Sequence, residues 1–145
     1  MTDSRMNFQD KAPKIPPRIL CIGMPVRDLT FHTPGVPGRG SKENATHYEE
    51  ICGGNALNAA IGIVRLGGRA SICGPMGDAG ETSSRFIFDQ MAQEGIETKH
   101  LIHMPGLVTP ISAVMIDPSG ERTIVTFRDP ELWKVKLPST ETLLD

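Results

Sequence analysis

Gly53-Gly54-Asn55-Ala56-Leu57-Asn58-Ala59-Ala60, closed by Leu66-Gly67-Gly68 and followed by Gly77-Asp78, decides how this chain is read. Two glycines let the backbone approach a ligand, and an Ala-rich helix begins directly after them. The first turn of such a helix offers unpaired N–H groups and the positive end of a dipole. Asn55 and Asn58 add side-chain amides, each able to donate to and accept from hydroxyls. That combination suits a polyhydroxylated or phosphorylated small molecule. The nearest rival is a dinucleotide-binding domain, which wants Gly-x-Gly-x-x-Gly directly after its first strand; Gly23-Met24-Pro25-Val26 does not supply it.

Outward from that stretch, the elements alternate. Arg18 to Gly23 is a short apolar run ending in glycine, as expected of a buried parallel strand. Leu29 to Thr33 and Thr46 to Cys52 are extended candidates separated by a loop rich in Gly and Pro. Asn55 to Leu66 is the first clear helix, ended by Gly67-Gly68. Ala70 to Gly74 is again strand-like. Thr82 to Glu94 is a second helix with Phe86, Ile87, Gln90 and Met91 on its inner face, stopped by Gly95; Ser83-Ser84 near its start read as caps. Thr98 to His103 is a third strand of this series.

After Pro105 the pattern changes. Ile111 to Ile116 and Arg122 to Phe127 are β-rich runs joined by Asp117-Pro118-Ser119-Gly120, a hairpin signal. The order predicts an α/β sheet with a small antiparallel accessory sheet. Arg122 and Arg128 alternate along an edge strand, where charge also discourages aggregation. Pro138 to Asp145 reads as the start of a further helix. Met1 to Pro17 reads as a disordered polar tail, broken by Pro13, Pro16 and Pro17.

Composition narrows the function classes. At 145 residues the chain can form one core, and 39% hydrophobic with 22% charged residues is ordinary for a globular protein. A net charge of −2 and few aromatics speak against a nucleic-acid surface. No apolar run is long enough to span a bilayer, and no signal-peptide pattern opens the chain. Cys21, Cys52 and Cys73 read as reduced, buried thiols, which points to the cytoplasm. The four histidines lack partner cysteines at metal spacing, so no metal site is expected.

From about Arg18 to Trp133 the chain resembles the ribokinase/PfkB family of carbohydrate kinases. The resemblance rests on the Gly53-Gly54 pair, Ala56, Asn58, Ala60, Gly67 and Gly77. It is joined by Gly23 with Asp28, by Gln93-Glu94-Gly95-Ile96 and by Gly120-Glu121-Arg122-Thr123 in the family's order. It implies a ribokinase-like, doubly wound α/β sheet over residues 18–145. A small β-sheet lid, built from 29–33, 46–52 and 111–127, would close over the sugar, and lids of this kind often make a homodimer contact. It implies that Asp28 accepts hydrogen bonds from sugar hydroxyls, and that Gly53 and Gly54 bring backbone N–H groups to the substrate. Asn55 and Asn58 would orient further hydroxyls, and Arg128 would meet an acidic or phosphorylated substrate.

The chain departs from the family pattern at Val26, where many members carry Asn, and at Asn55, where Lys is common; the segment from Gly77 to Gly95 is also about two residues longer than usual. The implied activity is ATP-dependent phosphorylation of a hydroxymethyl group on a sugar or sugar-like molecule. Ribose, fructose, sulfofructose, 2-keto-3-deoxygluconate and nucleosides all fit, and the residues do not choose among them. Family members are about twice this length. Their second signature supplies the catalytic base, and the groups that place Mg²⁺ and most of the ATP site accompany it beyond the position of Asp145. The expectation is therefore a sugar-binding half that is inactive alone. The alternative is a truncated, non-catalytic remnant that binds sugar or a partner chain, and an unrelated α/β binding module would answer to neither sugar nor ATP.

Overall fold

A computed structural model describes residues 16–144. Its elements are β1 (Arg18–Ile22), β2 (Val26–His32), β3 (His47–Gly53), α1 (Asn55–Arg65), β4 (Arg69–Met76), α2 (Thr82–Glu94), β5 (Glu97–His103), β6 (Ile111–Ile116), β7 (Arg122–Phe127), a 3₁₀ turn (Pro130–Lys134) and α3 (Thr140–Leu144). Strands β1, β4 and β5 form a parallel sheet in the order β1-β4-β5. Strands β3, β2, β6 and β7 form a second sheet in that order. The chain is thus α/β, as the alternation of runs predicts. The tail expected over residues 1–17 lies, except for Pro16 and Pro17, outside the described residues, as does Asp145.

The core sits between the parallel sheet and its two helices. Leu57 and Ala60 of α1, Ile72 and Met76 of β4, and Ile87 and Met91 of α2 are all at most 1% exposed. Small residues set how closely α1 approaches the sheet: a Cβ on Gly23 would fall 2.9 Å from the Cβ of Ala56. Helix α1 ends in a left-handed glycine. Gly67 has φ +85°, and the N–H groups of Gly67 and Gly68 close onto Val64 O and Ile63 O at 2.9 Å each. Gly95 ends α2 in the same way.

Two expectations are corrected. The accessory sheet is mixed rather than antiparallel, because β2 pairs with β6 in parallel, Arg27 opposite Ile111 through His32 opposite Ile116. Both strands leave the same end of the parallel sheet, so they run the same way. Ser83 and Ser84 are not caps either. Glu81 caps α2, its carboxylate accepting from the Ser83 and Ser84 N–H groups at 3.0 and 3.1 Å. Both serines lie inside the helix with their side chains buried.

Candidate acceptor site

Strand β1 ends at Ile22, and the chain turns through Gly23-Met24-Pro25 into β2, which starts the second sheet. Val26, at the head of β2, is 3% exposed and packs against Gly54. Side chains alternate along the strand, so Arg27 and Asp28 face opposite sides of the sheet. Asp28 lies on the Gly53 side. A Cβ built on Gly53 would stand 2.0 Å from Asp28 Oδ2 and 2.8 Å from its Cγ, so the carboxylate rests directly on the glycine. Any larger residue at 53 displaces it.

Gly54 is glycine for a different reason. Its φ is +91° with ψ 137°, and a Cβ there would lie 2.5 Å from the Met24 carbonyl oxygen. Gly54 is also the N-cap of α1 and brings no side chain to it; no other side chain caps the helix. The carbonyl of Gly54 takes the Asn58 N–H at 2.9 Å, which leaves the N–H groups of the first turn free of intrahelical partners. Asn55 and Asn58 are both exposed on that turn.

A cleft of about 480 Å³ opens beside this turn. Its floor is the carboxyl ends of β1 and β4 (Ile22, Gly23, Gly74 and Pro75), and its near wall is Gly54, Asn55 and Ala56. That placement follows the rule that open α/β sheets bind ligands outside the carboxyl ends of their strands. Arg128, just past β7, and Trp133, Val135 and Leu137 make the far wall. The lining holds one cation, a helix N-terminus and no carboxylate. The structure therefore brings Gly54, Asn55 and Arg128 to one cleft, with Gly53 and Asp28 adjoining it. Asn58 and Asp28 are not part of its lining.

Sequence reasoning missed the 3₁₀ turn that carries the far wall. Its signal was legible: Asp129 caps the turn, accepting from the Glu131 N–H at 2.9 Å, and Pro130 occupies its first position. Leu132, 1% exposed, fixes the turn against the body of the protein. Arg27 was missed as well. Its guanidinium donates to Glu50 (Nε, 2.9 Å) and to Ser83 Oγ (3.4 Å) and lies 5.1 Å above the Phe86 ring. Tyr48 adds its hydroxyl to Glu50, and these two hydrogen bonds, Tyr48 first, hold the Glu50 carboxyl below its ordinary range.

The thiol of Cys52, the residue opposite Arg27 on β3, is pushed up to about 12, mainly by burial and then by the charge of Asp28. It is a packing thiol at neutral pH. Among the described residues no group of three His, Cys, Asp or Glu side chains is arranged to hold a metal ion.

The pfkB family carbohydrate kinase model matches residues 16–143. The chain belongs to that family. It is 35% identical over 81 residues to the fructokinase of Vibrio alginolyticus, covering 56% of this chain and 26% of that protein. It is 29% identical over 111 residues to the 5-dehydro-2-deoxygluconokinase of Geobacillus thermodenitrificans, covering 76% and 30%. Among solved structures, a protein of Agrobacterium tumefaciens assigned as a ribokinase superposes with a TM-score of 0.81 at 31% identity, covering 89% of this chain and 42% of that one. The chain spans about a third of the length of the curated relatives it matches. The ribokinase-like fold and the family resemblance expected from the glycine signature are both met.

Proposed function

We propose that this chain is the acceptor-binding part of an ATP-dependent sugar kinase. The observation that carries the reading is the Asp28 carboxylate seated on Gly53, one residue from the uncapped start of α1. A carboxylate accepts hydrogen bonds only, and free helix N–H groups donate only, so the pair sorts the two ends of an alcohol-rich ligand. Asp28 accepts from acceptor hydroxyls, and the backbone around Gly53 and Gly54 donates. Asn55 and Asn58 orient further hydroxyls from the first turn. Arg128 and the helix end make the cleft favourable to negative charge, which supports an acidic or phosphorylated acceptor over a neutral one. The sheet of β3, β2, β6 and β7 acts as the lid, excluding water from the acceptor, and serves as a homodimer contact. ATP would supply the transferred phosphoryl group, and Mg²⁺ when bound would neutralise its charge; the residues described here bind and orient the acceptor. The three free thiols agree with a cytoplasmic, reducing setting, and no helix among the described residues is long and apolar enough to cross a membrane.

Calorimetric titration of the 145-residue chain with ribose, fructose and 2-keto-3-deoxygluconate, with and without ATP and Mg²⁺, tests this reading. Saturable binding of at least one, without ATP turnover and abolished by Asp28→Asn, is the expected result. Binding of none, by a chain that melts cooperatively, would overturn it.

A further inference from the structure

We infer that the first turn of α2 is the seat on which the second sheet is positioned over the acceptor site, with Arg27 and the Ser84–Thr109 pair as its two fastenings. The inference deepens the lid reading above and rests on it for its purpose, though its geometry stands alone. The chain crosses into the second sheet at two separate places, through residues 23–25 into β2 and through residues 104–110 into β6. Both crossings are tied to neighbouring residues of one helix turn. At the first, Arg27 reaches Ser83 Oγ at 3.4 Å and Phe86, while its fork also holds Glu50 on β3. At the second, Thr109 Oγ1 and Ser84 Oγ share a hydrogen bond of 2.6 Å, and Thr109 Oγ1 accepts the Gly77 N–H at 2.8 Å. Ser84 and Thr109 are fully buried. The first crossing is then joined to the second, the Arg27 N–H donating to Pro110 O at 2.9 Å.

Gly77 belongs to the same arrangement. A Cβ there would stand 2.3 Å from the Thr109 N and 2.6 Å from Leu107 O, so the second crossing passes directly over it. The glycine that completes the family-like pattern thus makes room for the chain on its way to β6. Asp28 follows Arg27 on β2 and faces the other side of the sheet, so whatever fixes Arg27 also fixes the height of the carboxylate over Gly53. Arg27 is therefore a positioning residue. It is 16% exposed at its side chain and is turned away from the cleft.

Two fastenings on one turn predict that the second sheet opens as a unit. Hydrogen exchange of the full chain, without ligand, reads this directly and does not depend on sugar binding. In Arg27→Met, and in the milder Ser84→Ala, amides of β2, β3, β6 and β7 exchange faster together, by about tenfold in Arg27→Met, the equivalent of one charge-assisted hydrogen bond. Amides of β1, β4 and β5 stay within about twofold of the parent chain in both. Equal acceleration in both sheets would show one undivided core and overturn the inference. Acceleration confined to the residues touching position 27 or 84, or none, would overturn it as well. Acceleration of the whole second sheet in these variants, in a chain whose Asp28→Asn form binds sugar as tightly as the parent, would uphold the seat and overturn the functional reading of Asp28 instead.

Discussion

Gly53 and Gly54 are adjacent, and the structure gives substitution by alanine opposite outcomes at the two positions. Gly53 ends β3 with an ordinary negative φ, so alanine is sterically allowed in its backbone. The nearest atoms in its way are the far end of Asp28, at 2.0 Å for Oδ2 and 2.8 Å for Cγ. Asp28 is half-buried and can rotate aside. Forcing it off its rotamer costs about 0.5–1.5 kcal/mol. Removing glycine entropy from the unfolded chain offsets about 0.4–1 kcal/mol of that. Gly53→Ala should therefore fold with a stability within about 1 kcal/mol of the parent. Its acceptor affinity should fall by roughly 10–150-fold, the value of hydrogen bonds to a charged group at about 1.5–3 kcal/mol.

At Gly54 the obstacle is backbone on both counts. Its φ of +91° with ψ 137° lies in a region that only glycine occupies freely, at a cost of about 1–3 kcal/mol for alanine. The added methyl would also stand 2.5 Å from the Met24 carbonyl, which cannot rotate away. Gly54→Ala should lose about 2–4 kcal/mol and melt roughly 10 °C lower. Thermal melts and acceptor titrations on both variants decide the matter. If Gly53→Ala melts as low as Gly54→Ala, or if it binds acceptor as tightly as the parent, the placement of Asp28 over Gly53 is not what the glycine serves.

Thr109→Val keeps shape but leaves the Gly77 N–H and Ser84 Oγ buried without a partner; urea unfolding should show a loss of about 2–4 kcal/mol with an unchanged m-value. Cys52, with its thiol pushed up to about 12, should resist iodoacetamide at neutral pH in the folded chain and react once the chain is denatured, as read by intact mass. Asp78 accepts the Gly80 N–H at 2.8 Å and the Gly106 N–H at 3.1 Å, and these bonds hold its carboxyl below the ordinary 3.8. The folded value is depressed, so its stabilisation is present above 3.8 and is lost as pH falls through the folded value. Asp78→Asn should consequently be the less stable chain at neutral pH, with the gap closing in melts taken progressively below 3.8.

What the sequence made legible was whatever depends on a single local rule. The glycine that ends α1 and the glycine that ends α2 are each announced by a preceding helical run, and both appear as left-handed caps. The hairpin signal at Asp117-Pro118-Ser119-Gly120 is equally local, and Asp117 accepts from Ser119 and Glu121 across it. What was not legible depends on pairing at a distance. Nothing near Leu29 or Ile111 states that β2 and β6 run in parallel; that follows from both strands leaving the same end of another sheet. Ser83 and Ser84 fit the residue preference for caps, but Glu81 reached the free N–H groups first, and the buried hydroxyls were then free to meet Arg27 and Thr109. The partners of both serines lie 25 residues or more away in sequence.

The same distinction applies within the candidate site. Gly54 explains itself through its own dihedral angle, whereas Gly53 is explained only by a carboxylate 25 positions earlier in the chain. Gly77 is explained only by the passage of residues 107–109 over it. Three glycines of one motif therefore answer to three constraints: a backbone angle, a carboxylate seated against the glycine, and a chain segment passing over it. Only the second involves a group proposed to meet a substrate. A chain of this family that had lost its acceptor would still need Gly54 and Gly77 to fold, and it would be free to replace Gly53. The seating of the Asp28 carboxylate on glycine at 53 is the feature of this chain that speaks for binding rather than for architecture alone.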